Sequence, residues 1–191
     1  GWNELEELGK EKLEGKIVFY NRAMNPTFVN TFHAYGGCVD QRYKGASEAA
    51  KYGATAVLVR SLSLKKDKYP HTGSMSYFDA EVKIPAVAIS TVDAHNLSLM
   101  LSEDENTEVR MKLSCETLED VPSHNVIAEI KGSKFPEEII VVGGHLDSWD
   151  LGEGAHDDGA GVVQSIEVIR LFKELGIRPK RTIRCILFMN E

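Results

Sequence analysis

The sequence has no run of eighteen apolar residues, so no segment of it reads as a membrane span. It also lacks a clustered basic face: 22 Lys and Arg are scattered among 29 Asp and Glu, and the net charge is −7. A nucleic-acid partner needs such a face and is therefore not expected. Cysteine is scarce. Cys38, Cys115 and Cys185 are odd in number and show no CxxC spacing, which argues against a finger-type structural zinc site. Cys185 lies in the apolar run Ile183 to Phe188 and reads as a buried free thiol. Cys38 and Cys115 could pair in an oxidising compartment, and the sequence leaves that open. The opening residues, Gly1-Trp2-Asn3-Glu4-Leu5, have neither a basic start nor an apolar core, so they read as no signal peptide, as a trimmed chain also would. There is no internal repeat and no low-complexity segment.

What is present is an ordinary globular composition, 42% hydrophobic and 27% charged over 191 residues, enough for one large or two small domains. The first part alternates short strands and helices. Residues 15–20 read as a strand, Gly45 to Tyr52 as an alanine-rich helix closed by Gly53, and Ala56 to Val59 as a buried strand. A polar, breaker-rich loop spans Ser61 to Glu81. Ile84 to Ile89 is a further strand, with Pro85 expected at its start or on an edge because proline cannot donate to a ladder. Ser90 with Asp93 marks a helix start, after which Leu97, Met100 and Leu101 share one face. Thr107 to Leu113 alternates like a half-exposed strand.

Ser114 to Ser123 is acidic, aperiodic and contains Pro122, and it reads as the domain boundary. Beyond it, Val126 to Ile130 predicts a strand, Phe135-Pro136-Glu137-Glu138 a turn, and Ile139 to Val142 a central strand covered on both faces. Residues 161–175 place Val162, Ile166, Ile169 and Phe172 on one helical stripe, closed by Gly176, and Arg181 to Met189 predicts another buried strand. This order indicates a mostly parallel α/β sheet.

Three polar groups fall where loops leave the C-terminal ends of these strands, the usual place for ligands in open α/β sheets. Gly143-Gly144-His145-Leu146-Asp147-Ser148 lets the His145 imidazole project over the strand ends, with Asp147 two residues on to hold it. Gly152 to Gly161 surrounds Asp157 and Asp158 with glycines just before a helix. Such carboxylates suit divalent metals, although Asp158 could simply cap the helix. Phe188-Met189-Asn190-Glu191 ends the last strand on a carboxylate. Taken singly these are a surface histidine, a flexible loop and a solvated glutamate. Their combination and order are specific.

With GHLDSWD, DDG and RPKRT in place, the chain resembles the M28 family of zinc peptidases, in its carboxypeptidase Q branch, from about Asn125 to Glu191. GASEAAKYGATAVLVRS and KIPAVAIS resemble, more loosely, the protease-associated domain such enzymes insert. The resemblance implies an α/β fold: a mostly parallel zinc-peptidase sheet, present in part, preceded by a small α+β protease-associated domain. Residues 1–115 would be that inserted domain, 116–123 a linker, and 124–191 the N-terminal part of the catalytic domain, cut at the catalytic glutamate. The function implied is a zinc-dependent exopeptidase that hydrolyses short peptides or terminal residues with water activated by two zinc ions.

By the same resemblance His145 is a terminal zinc ligand and Asp157 the carboxylate bridging both ions, with a cis peptide after it. Asp147 orients the histidine, and Glu191 is the general base. A second glutamate and a later aspartate and histidine would lie beyond Glu191, so these residues alone would hold half a site and be inactive. A peptide is the implied substrate, a homodimer a possible assembly, and a secreted, lysosomal or periplasmic location is implied. The sequon Asn96-Leu97-Ser98 fits a secretory route but falls in a predicted helix. The rival functions are a non-catalytic protease-associated interaction module, or a glutaminyl cyclase-like enzyme on the same metal scaffold.

Overall fold

A computed structural model describes every residue except Asp79, Thr117 and Leu151. The chain divides into two compact units, Gly1–Cys115 and Glu116–Glu191.

In the first unit the elements run α1 (Trp2–Leu13, broken at Gly9), β1 (Ile17–Tyr20), α2 (Thr31–Gly36), α3 (Asp40–Tyr43), α4 (Gly45–Ala50), β2 (Ala56–Arg60), β3 (Ala86–Ile89) and α5 (Thr91–Glu103). The three strands pair in parallel in the order β1-β2-β3. The continuous apolar run of β2 makes it the middle strand, and Ala56, Val57, Leu58 and Val59 are all buried. Burying a side chain such as Val57 contributes about 1.5–3 kcal/mol. The small residues of α4 let it approach the sheet: Ala46 and Ala49 join Val18, Tyr20, Val57 and Ile84 in one core. The Tyr20 hydroxyl donates to Gly45 O at 2.9 Å. Pro85 directly precedes β3, an edge strand, and its carbonyl accepts from the Val57 N–H. As expected, Ser90 caps α5, accepting from the Asp93 N–H and donating to Asp93 Oδ2 at 2.6 Å.

On α5, Leu97 and Met100 line one cleft, in keeping with a shared face, and Met100 is half exposed. One expectation for this unit fails. Thr107 to Leu113 forms no strand, because it joins neither edge of the β1-β2-β3 ladder. The segment instead lines a cleft of about 620 Å³ with Leu58, Val87, Ile89 and Leu97. Cys38 and Cys115 are both free: Cys38 is buried and its thiol donates to Ala34 O, whereas Cys115 is exposed. The sequon lies inside α5, as anticipated, with Asn96 exposed.

The second unit contains β4 (Val126–Ile130), β5 (Phe135–His145), α6 (Gly159–Glu174) and β6 (Arg181–Phe188). The sheet order is β4-β6-β5; β6 pairs antiparallel with β4 and parallel with β5. The chain therefore runs β5-α6-β6, a parallel pair joined through a helix. The central strand is β6, with Thr182, Ile183, Cys185 and Leu187 buried, so Cys185 is the buried free thiol anticipated. The sequence assigned the central place to Ile139 to Val142. In the sheet described, β5 is an edge, and Ile139, Ile140 and Val141 are 43–53% exposed.

The expected turn at Phe135 to Glu138 is the start of β5. Phe135 pairs with Arg181 and Ile139 with Thr182, so an irregularity lies between them and keeps Pro136 out of the ladder. Pro136 O accepts from the Thr182 hydroxyl at 2.7 Å. On α6 the residues turned inward are Val162, Ser165, Ile169 and Phe172, while Ile166 is 47% exposed and lies off the expected stripe. Among the described residues no helix is long and apolar enough to cross a membrane.

Candidate metal centre

The strand β5 runs further than its apolar residues suggest. The ladder continues through Gly143 and Gly144 to His145, which pairs with Phe188. His145 is thus the last ladder residue of β5, a rigid mount for its imidazole. Asp157 and Asp158 lie just before α6, and Glu191 three residues past β6. His145, Asp147, Asp157, Asp158 and Glu191, all singled out in the sequence, lie at this end of the sheet.

His145 is held from both sides. Its Nδ1 lies 3.0 Å from both the backbone O and the carboxylate Oδ1 of Asp147. Its Nε2 lies 3.0 Å from Asp157 Oδ1. Asp147 Oδ1 also accepts from the Glu191 N–H at 3.2 Å. Partial desolvation pushes the His145 pKa down. The Asp147 carbonyl and the carboxylates of Asp157 and Asp147 outweigh that effect and hold the pKa above the ordinary histidine value. The Asp157–Asp158 peptide is cis.

With Nδ1–H donating to Asp147, the neutral ring turns its Nε2 lone pair toward the Asp157 carboxylate, and two acceptors face one another. A proton or a metal cation can stand between them. Two ligand atoms on a tetrahedral zinc, each about 2.0–2.1 Å from the ion, are about 3.3 Å apart. The observed 3.0 Å needs an adjustment of only a few tenths of an ångström, so the pair fits the metal. Among the described residues no group of three or more His, Cys, Asp or Glu is gathered as a metal cage. His145 and Asp157 could supply two donors to a metal, and neither Asp147 nor Glu191 is gathered with them as a third.

Two contributors were not anticipated. Asn125 Oδ1 accepts from the Met189 N–H at 2.9 Å and steadies the exit of β6 toward Glu191. Asp158 caps α6 through the Gly161 N–H and also accepts from the His145 N–H, each at 3.0 Å. The sequence signalled only the cap. The nearest hint of the second bond was the glycine pair before His145, which permits a close approach.

A family model for peptidase family M28 matches residues 125–191. Carboxypeptidase Q of Bos taurus and that of Homo sapiens are each 43% identical to this chain over 190 residues, 100% of its length and 38% of theirs. The chain thus spans little more than a third of those relatives. Among solved structures, a peptidase M28 precursor from Shewanella amazonensis aligns with a TM-score of 0.84 and 34% identity, over 98% of this chain and 42% of that one. A zinc aminopeptidase from Bacillus subtilis aligns with a TM-score of 0.59 and 24% identity, over 96% and 38% of the respective chains, a likeness of fold. On the combined strength of the matched segment, the whole-chain identity and the shared architecture, the chain belongs to peptidase family M28.

Proposed function

We propose that the chain is part of a zinc-dependent exopeptidase acting on short peptides or terminal residues, with 1–115 a protease-associated domain, 116–123 a linker and 124–191 the first part of the catalytic domain. One observation carries this reading: the line Asp147–His145–Asp157, in which one ring nitrogen is held by a carboxylate and the other faces a second carboxylate at 3.0 Å. A carboxylate behind a ligating histidine fixes its tautomer and raises its basicity.

In this reading His145 Nε2 and Asp157 would hold zinc, with Asp157 the carboxylate that would serve both ions. Bound zinc would supply Lewis-acid polarisation of the scissile carbonyl and lower the pKa of the attacking water. Asp147 keeps the Nδ1 proton in place and, through the Glu191 N–H, fixes where the last carboxylate begins. Glu191, whose residue is exposed, takes the water's proton and returns it to the leaving amine. The peptide substrate, the homodimer and the secreted, lysosomal or periplasmic location belong to the same proposal.

Metal analysis of the purified full-length protein tests it. Two zinc ions per chain are expected, with a sharp loss in both His145→Ala and Asp157→Ala. Unchanged zinc in both variants would remove the reading.

A further inference from the structure

The Asp158 carboxylate ties together backbone groups of two different elements. Its Oδ1 accepts the Gly161 N–H in the first turn of α6, and its Oδ2 accepts the His145 N–H at the end of β5, each at 3.0 Å. Helix capping needs only the first of these bonds. The second satisfies an N–H on a strand that is an edge of the sheet described, and that N–H belongs to the residue whose ring faces Asp157.

The space around this carboxylate is shaped to admit it. A Cβ on Gly144 would come within 2.6 Å of Asp158 Oδ2 and 2.8 Å of the Val162 backbone nitrogen. A Cβ on Gly161 would overlap the same carboxylate. Glycine at 144 lets the start of α6 approach the end of β5 this closely, and glycine at 161 leaves room for the carboxylate itself.

We infer that Asp158 is a positioning residue for the metal centre, setting the separation of His145 and Asp157 by latching the end of β5 to the start of α6. This rests on the reading of His145 and Asp157 as ligands. Asp157 is directly bonded to Asp158, so a shift of Asp158 against the His145 backbone moves one ligand relative to the other. Without the latch only the packing of α6 on β5 is left to set the separation of the two ligands. Groups that stand behind metal ligands typically set affinity or activity by about 10–100-fold.

The test uses the full-length protein and variants that keep the cap while cutting the latch. Serine caps a helix about as well as aspartate but is too short to reach the His145 N–H. Asp158→Ser should therefore melt, metal-free, close to wild type, while its zinc affinity in chelator competition falls about 10–100-fold. Removing one negative charge would by itself weaken zinc without changing coordination geometry, so the cobalt-substituted protein supplies the second readout. Its visible absorption bands should shift in the variant. Asp158→Asn keeps the shape of aspartate and has the neutral charge of the serine variant, turns a donor toward one of the two N–H groups, and should shift the bands in the same way; it carries the test if the serine variant does not fold. Wild-type affinity with unchanged cobalt bands in either folded variant overturns the latch alone. If wild-type protein binds no zinc, or His145→Ala binds it normally, the ligand reading falls and the latch with it.

Discussion

Asp147 and Glu191, 44 positions apart, meet through one hydrogen bond: the Glu191 N–H donates to Asp147 Oδ1 at 3.2 Å. The same oxygen lies 3.0 Å from His145 Nδ1. One carboxylate therefore sets both the imidazole and the start of the residue proposed as general base. Asp147→Ala should lower both zinc affinity and turnover of the full-length enzyme, by about 10–100-fold each. Chelator competition and steady-state kinetics on dipeptides measure the two. A loss in turnover with zinc affinity intact would mean that Asp147 serves Glu191 only.

Glu191→Gln keeps the shape of the side chain and removes its basicity. Zinc content should stay at the wild-type level while turnover falls about 10²–10⁴-fold, the range for a lost general base. A variant that cleaves dipeptides at the wild-type rate would make Glu191 a bystander.

The raised pKa of His145 gives two opposite pH dependences. Zinc must displace the ring proton, so affinity should fall as pH drops through that raised pKa, by about tenfold per unit for one proton, and level off above it. The metal-free protein behaves the other way. A histidine whose folded pKa exceeds its unfolded value contributes stability that is fully present below the unfolded pKa and lost as pH rises through the folded one. Zinc titrations and metal-free unfolding across pH 5–8 (about where histidines titrate) should show both slopes, and His145→Ala should flatten both.

Gly144→Ala tests the close approach of α6 to β5. Its Cβ would meet a backbone nitrogen, that of Val162, at 2.8 Å, so the helix start itself must move. Overpacking of this kind costs about 1–3 kcal/mol, readable in denaturant unfolding of the full-length protein. An unaffected midpoint would mean that the helix start yields freely.

Much of this fold could be read from the chain because the decisive signals are local. The apolar run of β2, the Ser90 cap and the position of Pro85 each depend on a few neighbouring residues. The places where the reading slipped depend on partners. Val109, Met111 and Leu113 alternate as a strand would, but a strand also needs a partner to pair with, and this segment joins neither edge of the β1-β2-β3 ladder. Phe135-Pro136 looks like a turn because nothing local reveals that Thr182 will take up the Pro136 carbonyl. Ile166 has the right spacing for the inward stripe of α6 and sits at its margin, where spacing cannot tell which neighbour covers it. At the candidate site, GHLD and DDG name the residues because glycines, histidine and carboxylates rarely follow one another without cause. The bond from Asp158 back to the His145 N–H has no such signature: it joins two segments whose approach is fixed only once β5, α6 and β6 are assembled.

The three free thiols make the two units separately visible in solution. Cys115 is exposed, Cys38 is buried in the first unit, and Cys185 is buried on β6 in the second. Burial also pushes the Cys38 and Cys185 thiols up, which suppresses the reactive thiolate while each unit stays closed. An alkylating reagent should therefore mark Cys115 at once, and mark Cys38 and Cys185 only as fast as their own units open. Read by mass spectrometry, the native sequence reports two opening equilibria in one sample, without any probe being introduced.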